Sequence, residues 1–217
     1  RGIEKCDRES ICKEKSASLA IMCTQLGRYM THSLLNQIVS KIHAIHIFEI
    51  LNHAETEQFI DLKVLMTALS KSDNFTLVII LSSDYARPYL SEELLKYVME
   101  IINEQYIHYL FYEQALVQFI TYDMIKFAVD KSVYNADSII ICEYMSHLVD
   151  KDLVKCVISK HPNICHSIFE NDHIYSNILD PELLEYAIVK SMNPMNLITR
   201  RSFQRHMNKN IVLASLS

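Results

Sequence analysis

The chain has 217 residues, half of them hydrophobic, and a formal charge of −5 with a pI near 6.1. That hydrophobic share excludes a disordered chain, and two glycines with four prolines are too few for the turns of an all-β fold. Gly2 and Gly27 stand apart and cannot build a phosphate-cradling loop, so a dinucleotide-binding α/β fold is excluded as well.

The first 30 residues read as a degenerate N-terminal capping repeat. A polar stretch near Ile3–Cys12 precedes an apolar segment from Leu19 to Met30. From Thr31 onward a repeat is legible through helix N-caps. Thr31, Asp61, Ser91, Thr121, Asp150 and Asp180 follow one another at spacings of 30, 30, 30, 29 and 30. Each side chain can accept a hydrogen bond from the orphan amides of a first helical turn.

The neighbours of these caps agree with them. The preceding residue is Met30, Ile60, Leu90, Ile120, Val149 or Leu179, and the fourth helical position holds Leu35, Leu65, Leu95, Ile125, Val154 or Leu184. That pairing is a hydrophobic staple made six times. The third, seventh and eighth positions are apolar too, giving one stripe along each helix, here called helix A. A short polar link follows each stripe, as at Ser70–Asn74.

A second apolar segment comes next, at Ile45–Leu51, Phe75–Leu81, Tyr106–Phe111, Ile139–Met145, Ile164–Phe169 and Met195–Ile198. The pattern predicts a helix B there, then a return loop. The expected architecture is therefore all-α, an α-solenoid of about six stacked 30-residue helical hairpins over residues 31–209. The hairpins start at 31, 61, 91, 121, 150 and 180. Residues 210–217 read as the start of a further repeat or a C-terminal cap.

The segment Asp180-Pro181-Glu182-Leu183-Leu184-Glu185-Tyr186-Ala187 resembles the Thr-Pro-Leu-His-x-Ala opening of the ankyrin repeat, and Ala68 and Ala128 share the position of Ala187. The period is three residues shorter than that family's, and the glycines of its β-finger are missing. What the resemblance implies is a protein–protein interaction scaffold.

Two rows of side chains are candidates for binding. Tyr97, Phe127 and Tyr186, with Cys156 between the last two, occupy the sixth helix A position outside the apolar stripe. They form either an anchor ladder for a partner or packing between hairpins. Lys71, Lys131, Lys160 and Lys190 share the tenth position with Lys41. They could track a phosphate backbone, or simply complement the carbonyls at a helix C-terminus.

Cys156, His161, Cys165 and His166 flank one link, but adjacent Cys165 and His166 point apart, which is poor geometry for tetrahedral zinc. His43, His46 and His53 lack an acidic third ligand. No nucleophile elbow, cysteine–histidine signature or HExxH is present, so no catalytic residue, metal or cofactor is expected. The six cysteines read as free thiols of an intracellular protein. No run reaches the roughly eighteen apolar residues of a membrane span. The expected function is non-enzymatic: binding of another protein, with nucleic-acid binding through the lysine row as the alternative.

Overall fold

The six caps fold as the sequence predicts. In a computed structural model, residues 27–132, 134–199 and 201–207 are described, together with Ile211 and Leu213. Most of the N-terminal cap and the C-terminal segment of the sequence reading lie outside them, as do Cys6, Cys12 and Cys23. The described residues are helical, with no strand among them.

Six helices of ten residues each are the A helices: α1 (His32–Lys41), α2 (Leu62–Lys71), α3 (Glu92–Ile101), α4 (Tyr122–Lys131), α5 (Lys151–Lys160) and α6 (Pro181–Lys190). The cap side chain accepts from the third-position amide in all six. The distances are 3.1 Å for Thr31 and Leu34, 2.8 Å for Asp61 and Val64, and 3.2 Å for Ser91 and Leu94. They are 3.4 Å for Thr121 and Met124, and 2.8 Å for both Asp150 with Leu153 and Asp180 with Leu183. Each A helix ends alike, its next residue bonding back four positions before the chain turns extended or irregular, as Ile42 does to Ile38.

The apolar stripe is the core. In α2 to α6 the third, fourth, seventh and eighth positions are all buried. In α1 only Leu35 and Val39 are, and Leu34 and Ile38 are half-buried. Fully burying one such side chain stabilises by roughly 1.5–3 kcal/mol, so the stripe rather than helix propensity holds these short helices.

The second halves of the repeats, the B segments, are less regular than one helix and a loop. Residues 44–57 form a short 3₁₀ turn, then helices Ile47–Leu51 and Ala54–Glu57. Asn74–Ser82 is a full α-helix capped by Asp73, followed by a 3₁₀ segment Asp84–Tyr89. The third repeat has 3₁₀ helix alone, at Ile107–Phe111 and Gln114–Phe119. In the fourth, Ala136–Ile140 is α and Glu143–Leu148 is 3₁₀. In the fifth, Cys165–Ile168 leads to a π-helical turn, Ile174–Ile178. The expected return loops are thus largely helical. Apart from Asn74–Ser82 and its Asp73 cap, none of these segments has a side-chain N-cap hydrogen bond of the helix A type, and five-residue pieces are too short to sustain a 3.6-residue stripe.

The chain divides into two compact units, residues 1–102 and 103–217. Within the first, α1 packs along α2, and Ile47–Leu51 packs on Asn74–Ser82. Within the second, α4 meets α5, α5 meets α6, and Ala136–Ile140 touches both Ile107–Phe111 and Cys165–Ile168. In these cases a helix A lies beside the next helix A, and a B segment beside the next B segment.

Polar contacts repeat at the same interval. Asn171 Nδ2 donates to Ile141 O at 3.1 Å, and Cys142 Sγ donates to Phe111 O at 3.1 Å. Both pairs run from the residue 21 after one cap to the residue 20 after the preceding cap. Thr56, the most buried polar side chain among the described residues, donates to the carbonyls of Ile50 and His53 and ties the first B segment to itself.

Candidate partner-binding surface

The tenth-position lysines are placed by the stacking of A helices. Lys71 Nζ reaches back one repeat and donates to Ser40 O at 2.6 Å, Ile42 O at 2.9 Å and Val39 O at 3.3 Å. It therefore serves the C-terminus of α1 rather than that of its own helix. Lys160 does the same to α4, donating to Asp130 O and approaching Asp130 Oδ1, each at 2.8 Å. An ammonium is well suited to those orphan carbonyls. Both amines are engaged within the protein. Lys131 is half-buried, and Lys190 and Lys41 are exposed.

The sixth-position row is divided in its surroundings. Tyr186 is half-buried, its hydroxyl paired with Ser159 Oγ and its ring 5.7 Å from Lys155 Nζ, so it packs between α5 and α6. Cys156 lies 3.9 Å from Asp130 Oδ1, between α4 and α5. Phe127 is exposed and Tyr97 half-buried. Tyr97 belongs to the first unit and the other three to the second.

The α5–α6 contact also holds a small ionic network. Lys151 Nζ donates to Asp180 Oδ2 at 2.7 Å and to Glu182 Oε2 at 2.5 Å, while Lys155 Nζ reaches Glu182 Oε1 at 2.6 Å. Hydrogen bonds to Asp180 and Glu182 raise the Lys151 pKa. Burial works to raise that of Asp180, but the Lys151 bond and the Leu183 amide outweigh it and the net shift is down. Glu182 falls through its bonds to Lys151 and Lys155. These groups tie α5 to α6.

The cysteines and histidines have separate partners. Cys165 donates to Pro162 O at 3.2 Å, and burial pushes its thiol pKa up to about 11. His166 Nδ1 stands 3.7 Å from Glu170. His46 Nδ1 lies 3.3 Å from Glu49, and His53 Nδ1 is 2.6 Å from Glu55 without hydrogen-bond alignment. No group of three or more potential metal ligands converges among the described residues.

A surface that sequence reasoning passed over lies on the third B segment. A 3₁₀ helix has three residues per turn, so side chains three apart stand in line. Tyr106, Tyr109 and Tyr112 have that spacing along the 3₁₀ segment Ile107–Phe111 and its two flanking residues. They are 36, 45 and 45% exposed. The rings of Tyr106 and Tyr109 are 6.2 Å apart, and His108 packs against Tyr109 at 4.2 Å.

Beneath the row, Ile107, Leu110 and Phe111 are buried and anchor the segment. Tyr112 OH donates to Ser138 O at 3.0 Å, and Asn135 Nδ2 bonds Gln105 O and His108 Nδ1, each at 3.4 Å. Partial burial holds the His108 pKa below its usual value, which favours the neutral ring that accepts from Asn135. The signal for this row was the tyrosine spacing of three, which a helical period of 3.6 spreads over different faces.

Grooves run between consecutive B segments in each unit. One of about 340 Å³ in the first unit is lined by Leu51, Asn52, Glu57, Ser82, Asp84 and Tyr85. Another of about 560 Å³ in the second has Cys142, Glu143, Glu170, Asn171, Asp172 and His173 on its walls. Counted from their caps, the two use matching repeat positions. Tyr85 is nine-tenths buried, burial raises its pKa, and its hydroxyl has no aligned hydrogen-bond partner among the described residues. Neighbouring Ser83 directs its own proton to Ile79 O at 2.8 Å.

Comparison of the chain with protein-family models, with curated protein sequences and with solved structures finds no match.

Proposed function

We propose that the chain is an α-solenoid of about six helical hairpins, of the interaction-scaffold kind that ankyrin-like repeats exemplify, and that it acts without catalysis by binding another protein. The observation that carries this reading is the exposed row of Tyr106, Tyr109 and Tyr112 on a segment whose opposite side is buried. Tyrosines held rigid at low entropic cost are the residues most often found at the energetic centres of protein interfaces. The solenoid part of the reading rests on the cap spacing and on the like-to-like packing within each unit. The free thiols of Cys142, Cys156 and Cys165 fit an intracellular setting, and no described helix is long and apolar enough to cross a membrane.

Nucleic-acid binding through the lysine row is the weaker alternative, because Lys71 and Lys160 spend their ammonium groups on carbonyls of the preceding repeat. The two readings separate in a pull-down from source-cell lysate, run with and without nuclease. Wild type is compared with Tyr106→Ser/Tyr109→Ser and with Tyr97→Ser/Phe127→Ser/Tyr186→Ser. A protein that survives nuclease and is lost with Tyr106 and Tyr109 supports the reading. Capture abolished by nuclease contradicts it, and capture lost only in the second variant moves the binding face to the A helices.

A further inference from the structure

Five of the six B segments, including the third with its tyrosine row, are almost without cations. The five stretches 43–60, 73–90, 103–120, 132–149 and 162–179 contain one basic residue other than histidine, Arg87. At the chain's average of 21 Lys and Arg in 217 residues, five stretches of 18 would hold about nine. The same stretches hold eleven carboxylates, and Arg87 is itself paired with Asp84 at 3.1 Å. The lysines of repeats one to five lie on the A halves, whereas the sixth repeat carries Arg200, Arg201, Arg205 and Lys209 after its A helix. Acids at the start of a short helix, such as Asp84 and Glu143, suit its dipole. The dipole does not explain why lysine is missing from the rest of these segments.

We propose that the tyrosine row is a docking site for an arginine-rich, extended segment of a partner protein. The proposal rests on the interaction reading above and gives the partner its chemistry. Glu104 and Glu113 flank the row at its two ends, both partly exposed and with no cationic partner among the described residues. Asp137 is close enough for its charge to act on both His108 and Tyr112.

An arginine laid on the face of Tyr106 or Tyr109 would stack on the ring and present its guanidinium to these carboxylates. Tyr186 already receives Lys155 in this way inside the protein. A phosphate-bearing partner would meet only repulsion here. The groove beside Glu143, Glu170 and Asp172 continues the same sign of charge within this unit. The first unit's groove, with Glu57 and Asp84 beside the Tyr85 hydroxyl, carries the same sign of charge at other repeat positions.

The test is fluorescence anisotropy with a labelled Arg-Ser-Arg-Ser-Arg-Ser-Arg-Ser peptide at about 150 mM salt, where long-range attraction is largely screened. A Glu-Ser peptide of equal length is the counterpart. Wild type should bind the arginine peptide and not the glutamate one. Tyr106→Ser/Tyr109→Ser and Glu104→Gln/Glu113→Gln should each weaken binding by about tenfold or more. Tyr106→Phe/Tyr109→Phe, which keeps the ring faces, should retain it. Asp123→Asn/Asp152→Asn removes two exposed charges from α4 and α5 and should change affinity less than about twofold.

Equal loss in the two charge variants would mean attraction to net charge and would overturn the proposal. So would failure of wild type to bind the arginine peptide. If that failure accompanied lysate capture that still depends on Tyr106 and Tyr109, the scaffold reading would stand and the basic partner would fall. Circular dichroism on every variant separates lost binding from lost folding.

Discussion

The A helices and the B segments come from the same repeats yet obey different rules. Every A helix has ten residues, one side-chain cap and one apolar stripe, and α2 to α6 bury the same four stripe positions. The B segments mix α, 3₁₀ and π turns, with a single full-length helix, Asn74–Ser82. The A helices also hold most of the polar cross-repeat ties, including those of Lys71, Lys160 and Lys151. The B segments carry the exposed tyrosines, together with Glu104 and Glu113, which have no cationic partner among the described residues. In the proposed solenoid, a repeat that must stack needs one constant element. Its second element is then free to vary and to present a surface.

The largest expected break between the two halves comes from charge in the core. Leu184 is fully buried in α6, so Leu184→Asp should cost about 3–5 kcal/mol and unfold its unit in urea denaturation followed by circular dichroism. Tyr109→Asp on the exposed B face should shift stability by no more than about 0.5 kcal/mol. Comparable losses at the two sites would erase the distinction.

Capping gives a smaller contrast. Asp61→Ala removes the bond to the Val64 amide and should cost about 1 kcal/mol. Glu113 stands at the start of Gln114–Phe119 without a side-chain cap bond, so Glu113→Ala should cost only a few tenths. Lys71→Met leaves three carbonyls of the preceding repeat without their donor. It should cost about 1 kcal/mol, since the amine is partly exposed, and Lys63→Met on the same helix nearly nothing.

The smallest effect is a pH dependence confined to the α5–α6 contact. Asp180 and Glu182 titrate below their ordinary values in the folded chain. Their contribution is therefore present above the usual carboxylate range and is lost as pH falls through the folded values. Lys151 titrates above its ordinary value, so its contribution is present below about pH 10 and is lost as pH rises further. Stability should peak between these limits, and Lys151→Ala should flatten the acid limb. An unchanged acid limb would mean that solvent screens the network completely.

The legibility of the sequence followed the same division. Caps and stripe were readable because each is a local rule at a fixed offset, and all six caps form the bond their side chains implied. The position of the lysine row was readable too, but not its target. A lysine beside a helix end reads as serving its own carbonyls, whereas stacking brings Lys71 to those of α1. The B segments escaped because a 3.6-residue period does not apply to 3₁₀ turns. Tyr106 and Tyr109 therefore read as part of the apolar run Tyr106–Phe111, with Tyr112 outside it, rather than all three as one edge. Tyr186 was singled out by its repeat position, and its burial against Ser159 and Lys155 depends on the neighbouring helix.

Native-state amide hydrogen exchange tests most directly the claim that A helices hold the protein while B segments serve its surface. The account predicts that the Val157 and Ile188 amides, inside α5 and α6, exchange only through unfolding of their unit, at closely similar free energies. The Tyr109, Tyr112 and Ile120 amides, in 3₁₀ turns of that unit, should exchange faster by local opening. Slowest exchange in the 103–120 segment, with α5 and α6 opening first, would contradict it.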